Sequence, residues 1–229
     1  MKKIFIFTLI ITTLLSACSI EPANPFYIHA GDDTRISANY FPADSDKGIL
    51  LIHSLGSSKA SWKQLVPELT SRNYNVLSID MRGHGFSDYD WRSFDSDDFN
   101  KAVLDVEAGI SFLEDNGVDD IAVIGSSIGA NIALKHASQN PEIKSLILLS
   151  PSLNYRGVKT ASNMEKYSNP VLIIVGKEDI QSYEGSKKLH NISSGKKDLI
   201  ITNSSTHGTL LLQNEEVKLS ILRWLGNTI

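Results

Sequence analysis

The sequence predicts an α/β fold built on a doubly wound, mostly parallel sheet, and three observations carry that expectation. Short apolar runs rich in β-branched residues recur with little alternation, as in Ile121-Ala122-Val123-Ile124 and Val171-Leu172-Ile173-Ile174-Val175. Such runs suit strands buried on both faces of a parallel sheet. Helical patterns separate them; in 98–116, for example, Ala102, Val106, Ile110 and Leu113 share one face. The gaps are short and turn-rich, and 229 residues at 41% hydrophobic content can bury one sizeable core. One folded domain is expected, over 26–229, with no internal repeat or low-complexity tract.

The start of the chain is expected to lie outside that fold. Lys2-Lys3 precede an apolar stretch, 4–15, that is too short to span a bilayer as a stop-transfer helix, so 1–17 reads as a secretion leader. Its end, Leu15-Ser16-Ala17-Cys18, resembles the lipobox of bacterial lipoproteins. That resemblance implies that Cys18 is lipidated and becomes the mature N-terminus, with 18–25 as a tether. The competing reading of Cys18, a buried thiol or half a disulfide, meets the fact that it is the only cysteine and lies outside any core segment. Residues 19–25 would reach about 20 to 25 Å when extended, which holds the domain near a membrane without spanning it. A cell-envelope location is therefore expected, at the outer membrane or the periplasmic face if the organism is Gram-negative.

The formal net charge of −4 becomes −6 once Lys2 and Lys3 leave with the leader. Mild acidity with no Lys/Arg-rich cluster argues against nucleic-acid binding and against electrostatic docking on anionic lipid.

Along the domain, 34–41 partly alternates and ends at Pro42, which suits an antiparallel edge strand, with 26–29 able to pair with it. Strands are expected at 48–53, 75–80, 121–124, 144–150, 171–175 and, last, 199–201, and helices over 58–72, 98–116, after Ser127 and over 210–225. The stretch 151–169 is polar, with one short helix expected near 160–167. Nineteen residues are too few for a cap domain, since an isolated helix alone needs about a dozen.

The chemistry gathers at Gly125-Ser126-Ser127-Ile128-Gly129, where a buried strand turns into a helix. Strand, Gly-x-Ser-x-Gly, helix is the layout in which a sharp turn lifts a serine hydroxyl over the sheet, with the following amide placed to face an oxyanion. Ser126 is a rival nucleophile, but only Ser127 has glycine at both i−2 and i+2. A serine hydroxyl needs a base and a third group to orient that base. Asp179 and His207 follow later strands, and loops after parallel strands open on one sheet edge. Glu178 rivals Asp179 as the acid. His29, His136 and His190 show no metal-ligand spacing, so neither metal nor cofactor is expected.

The segment Asp80-Met81-Arg82-Gly83-His84-Gly85-Phe86-Ser87, with Gly125 to Gly129 and the Ser, Asp, His order, resembles the serine α/β-hydrolases, the esterase, lipase and aminopeptidase-like superfamily. The resemblance covers nearly all of 26–229 and implies a Ser127, Asp179, His207 triad. It implies an oxyanion hole from the amides of Ile128 and Leu55, the latter in His53-Ser54-Leu55-Gly56, where Ser54 replaces the usual glycine. It implies a structural role for Arg82 and His84, and His53 reads as a strand-end histidine satisfied by a local carbonyl. The expected activity is that of a carboxylesterase acting on small acyl esters through an acyl-serine intermediate. A lipase, thioesterase or aminopeptidase would use the same triad, and a non-catalytic, lipid-anchored binding protein is the alternative from a different class.

Overall fold

The computed structural model describes residues 26–229. The expected leader, the tether and Cys18 lie outside the described residues.

The strands β1 (Phe26–His29) and β2 (Arg35–Phe41) form an antiparallel hairpin, and β2 continues antiparallel onto β4 (Asn75–Ile79). From β4 inward the sheet is parallel: β3 (Lys47–Ile52), β5 (Asp120–Ser126), β6 (Ser145–Leu149), β9 (Val171–Gly176) and β10 (Lys197–Thr202). The spatial order is β1-β2-β4-β3-β5-β6-β9-β10. The edge strands are thus β1 and β10, and 34–41, expected at the edge, is paired on both sides, with 26–29 beyond it.

Side chains of the central strands alternate between two apolar layers, as the period of two requires. Leu50, Ile52, Ile121 and Val123 face a layer closed by α3 (Val103–Asp115), α4 (Ile128–Ala137) and Leu189 of α6 (Ile180–Ile192). Ile49, Leu51, Ala122 and Ile124 face the other, closed by α1 (Val66–Thr70), Trp62 and α7 (Glu215–Leu225). Both faces are covered, which is why these strands read as continuous apolar runs.

Three expected helices have different bounds, each for a local reason. The helix expected over 58–72 is a 3-10 turn at Lys59–Trp62 followed by α1. Pro67 lacks the N–H that a continuous helix would need there, yet it is tolerated in the first turn of a new one. The helix expected over 98–116 starts earlier, as α2 (Ser96–Lys101), because Asp95 and Asp98 make a capping box, and it breaks at Ala102 before α3. The helix expected over 210–225 is a 3-10 segment, Gly208–Gln213, and then α7, whose cap Asn214 accepts from the Glu216 amide at 3.0 Å.

Between β6 and β9 the chain makes a two-residue hairpin, β7 (Asn154–Tyr155) with β8 (Val158–Lys159), and α5 (Ala161–Lys166). This is a small insertion and not a cap domain. Among the described residues no helix is long and apolar enough to cross a membrane.

Candidate active site

After β3 the chain moves to β4 on one side, and after β5 it moves to β6 on the other, so the loops after β3 and β5 flank a topological switch point. Open α/β sheets hold their ligands in that crevice. Ser127, the first residue after β5, lies there with φ 55° and ψ −117°, outside the ordinary regions for a residue with a Cβ. The flanking glycines have a steric cause. A Cβ on Gly125 would stand 2.5 Å from the Gly129 carbonyl oxygen, and one on Gly129 would stand 2.5 Å from that of His53. Both clashes are with backbone, so only glycine lets strand, helix and the β3 loop come this close.

His207 follows β10 and Asp179 follows β9 as the residue before α6. His207 Nε2 lies 2.8 Å from Ser127 Oγ, and His207 Nδ1 lies 2.6 Å from Asp179 Oδ2. Of the two neighbouring acids it is therefore Asp179 that meets the histidine, and Glu178 is exposed. The His207 ring is 43% exposed at the mouth of the site while the Asp179 side chain is 15% exposed, so the reactive edge is open and its partner is sheltered. Ser182, a buried residue in the first turn of α6, brings its Oγ to 3.4 Å from the same Nδ1. It carries no motif, and only its spacing from Asp179 in the following helix could have drawn notice.

The Ile128 amide is the first of α4, and an opening helix amide has no intrahelical acceptor. Leu55 lies in the turn after β3, half-buried against the core, and is followed by Gly56 at φ 70°. Ser54, which stands where the related loop carries glycine, contacts Ser126 through their hydroxyl oxygens at 2.7 Å. Gly208 packs against that pair, since a Cβ there would stand 2.5 Å from Ser126 Oγ and 2.7 Å from Ser54 Oγ. Ser126 therefore faces the back of the site, buried, and not the nucleophile position.

His53 behaves as a strand-end residue: Nδ1 donates to the Ser54 carbonyl at 2.7 Å and Nε2 accepts from the Met81 amide at 3.0 Å. Burial, assisted by the neighbouring His84, lowers its pKa to about 4. A neutral ring is what the acceptor role of Nε2 requires. Arg82 is buried between Asp105 (Nε to Oδ1, 2.8 Å) and Asp32 (Nη1 to Oδ2, 2.7 Å). His84 stacks on Trp91 with ring centroids 5.8 Å apart. Neither Arg82 nor His84 lines either of the cavities that border His207. Cys18 lies outside the described residues. Among the described residues no group of three or more His, Cys, Asp or Glu side chains is placed to hold a metal ion.

Two cavities border His207. The smaller, of about 260 Å³, is lined by Ser127, Ser150, Ser152, Tyr155, Gln181 and Ser182. The larger, of about 520 Å³, runs past Ser54, Ser57, Lys63, Gln64, Leu210 and Gln213. These lining residues come from loops and helix ends, where no periodic pattern marks them.

The sheet order and the strand-turn-helix at Ser127 define an α/β-hydrolase fold. The solved esterase of Pyrococcus furiosus shares it, with a TM-score of 0.77 at 22% identity over 92% of this chain and 91% of that one. The family model described as "Serine aminopeptidase, S33" matches residues 43–161, just over half of the chain, and the chain belongs to that family. A Bacillus subtilis carboxylesterase is 28% identical over 130 residues, 53% of this chain and 51% of that protein. A Mycobacterium bovis protein is 27% identical over 107 residues, 47% of this chain and 29% of that protein. The chain thus spans about half or less of the length of these two relatives.

Proposed function

We propose that the protein hydrolyses carboxylic esters of short or medium acyl chains through an acyl-serine intermediate. The observation that carries this reading is the continuous hydrogen-bonded line from Asp179 through His207 to Ser127, at 2.6 and 2.8 Å. With Nδ1–H donated to Asp179, Nε2 presents its lone pair to the Ser127 hydroxyl, which is the tautomer that general-base catalysis needs. Ser127 Oγ attacks the carbonyl carbon as Nε2 takes its proton, and the amides of Leu55 and Ile128 receive the negative oxygen. The C–O bond then breaks and Nε2 returns the proton to the departing alkoxide. Water, deprotonated by Nε2, releases the acid and restores Ser127.

The family match and the esterase likeness support the ester-hydrolase class. The small β7–β8 and α5 insertion, in place of a cap domain, favours open access over a deep lipid tunnel. That ranks a carboxylesterase above a lipase; thioesterase and aminopeptidase chemistry would use the same groups.

A fluorophosphonate probe should label wild type and not Ser127→Ala, and 4-nitrophenyl acetate should be turned over. Ser127→Ala or His207→Ala should each cost about 10^6 in kcat, with little further loss in the double variant, because the groups act as one unit. Asp179→Asn should cost about 10^4, since it disturbs the histidine tautomer. Near wild-type hydrolysis by folded, pure Ser127→Ala would remove this mechanism, and a wild type that neither labels nor turns over any ester would favour a binding protein on a hydrolase scaffold.

We also propose that Cys18 carries a lipid anchor, on the strength of Leu15-Ser16-Ala17-Cys18 after the apolar leader. Several acyl chains, at about 0.8 kcal/mol per buried CH2, would hold the enzyme stably at a membrane. Expressed with its leader in a bacterium, wild type should partition into the detergent phase, and Cys18→Ser should block processing or release the protein. Wild type found wholly in the aqueous phase with an unmodified Cys18 sinks the anchor.

A further inference from the structure

We propose that the alcohol released at this site is polyhydroxylated, a sugar-like or polyol unit, and not an alkyl chain. The inference rests on the ester-hydrolase reading above and names its substrate class. Once Ser127 Oγ and the oxyanion amides fix the acyl carbon, the leaving oxygen has to face His207 Nε2, because that nitrogen returns the proton. The alcohol therefore lies in a space that His207 borders. There are two such spaces among the described residues: the wall of the smaller is mostly polar, and that of the larger is mixed.

In the smaller, the Ser150 and Ser152 oxygens accept from the Gly208 amide at 3.0 Å and from Asn131 Nδ2 at 3.2 Å. A hydroxyl has one donor and two acceptor sites, so each keeps its proton for a ligand oxygen. The Tyr155 hydroxyl and the Gln181 carboxamide complete that wall. At about 260 Å³ the space holds on the order of eight or nine water-sized groups, the scale of a polyol or one sugar ring. The larger is lined by Lys63, Gln64 and Gln213 and by Leu210, its one large apolar side chain.

Apolar surface does exist nearby, at Leu153 and exposed Ile180, but it lies beyond Ser152 and Gln181 in a separate hollow that does not touch His207. An alkyl alcohol in the smaller space would leave its donors and acceptors unpaired. A hydroxylated alcohol would pair them, and selectivity of this kind is steep because unpaired buried polar groups are costly.

The test compares acetates of one acyl group and similar intrinsic reactivity: 6-O-acetylglucose and glycerol 1-acetate against butyl and hexyl acetate, using the full chain. The polyhydroxylated pair should be favoured in kcat/KM by about tenfold or more, the equivalent of one or two net hydrogen bonds. Two double variants locate the preference: half-buried Tyr155→Phe with exposed Gln181→Leu in the smaller space, and exposed Gln64→Leu with Gln213→Leu in the larger. One of them should lower the polyol-to-alkyl ratio about fivefold or more. If Ser127 is labelled by the probe and the alkyl acetates are hydrolysed as well as or better than the others, this inference falls and the esterase reading stands. A high ratio that neither double variant lowers also overturns it, because the preference then arises elsewhere. Absence of both labelling and turnover of every ester overturns the two together.

Discussion

At Ser127 the backbone holds φ 55° and ψ −117°, a conformation that costs a side-chain-bearing residue on the order of 1 to 3 kcal/mol. The surroundings over-determine it. The Ser127 amide donates to the Leu149 carbonyl at 2.8 Å, and its own carbonyl accepts from the Ala130 and Asn131 amides at 3.0 and 3.2 Å. On either side Gly125 and Gly129 press against backbone that cannot retreat. The strain therefore serves to lift one hydroxyl toward His207 and is held by hydrogen bonds that do no chemistry. Glycine removes the Cβ conflict and alanine keeps it. Although both variants lack the proposed nucleophile, Ser127→Gly should be more stable than Ser127→Ala, by about 1 kcal/mol after the extra chain entropy of glycine is subtracted. Urea midpoints at equal m-values would show it, and an alanine variant at least as stable as the glycine one would mean that the turn is unstrained.

The elements differ in how far they could be read from residue order, and the cause is burial. Strands β3, β4, β5, β6 and β9 are buried along almost their whole length, so all but β4, which carries Asn75 and Ser78, are built on a continuous apolar run that turn residues bracket. Ser127, Asp179 and His207 were legible for the same reason, since each follows such a run or its neighbour and the loops share an edge. Helix bounds were less legible because single residues decide them. Pro67 divides one expected helix, and the capping groups Asp95 and Asn214 set where two others begin. Asp95 and Asn214 are both good caps, but each sits among other polar residues that could have capped as well. The β7–β8 hairpin turns through Arg156 and Gly157 at φ 52° and 83°. Two positive φ values suit a tight hairpin, yet Arg-Gly lacks the Asn-Gly or Asp-Gly signal that would announce it. Tyr155 and Gln181 were invisible as site residues because a two-residue strand and a helix's first turn brought them there. Strand position 34–41 was misplaced at the edge because partial alternation describes a strand with one covered face, whether or not a further hairpin strand lies beyond it.

Over the whole molecule, Arg82 joins segments far apart in sequence: the β1–β2 turn through Asp32, the loop after β4, and α3 through Asp105. One guanidinium cannot neutralise two carboxylates, and their surroundings decide how the charge is shared. Asp32, partly exposed, has its pKa lowered to about 2, chiefly by the hydrogen bond from Arg82. Asp105 is fully buried, and desolvation raises it to about 7 against the pull of the same Arg82. The signs are opposite. For Asp32 the folded value lies below the ordinary 3.8, so its stabilisation is present above about pH 4 and is lost as pH falls toward 2. For Asp105 the folded value lies above the ordinary 3.8, so its contribution is fully present below about pH 4 and is lost as pH rises through 7. Asp105→Asn keeps the shape of the side chain and removes its ionisation. Unfolding free energies measured from pH 4 to pH 8 should fall more steeply for wild type than for this variant, while the acid limb between pH 2 and 4, set in part by Asp32, stays alike in both. Parallel profiles for the two proteins over pH 4 to 8 would mean that Asp105 is ionised throughout that range and that Arg82 outweighs its burial.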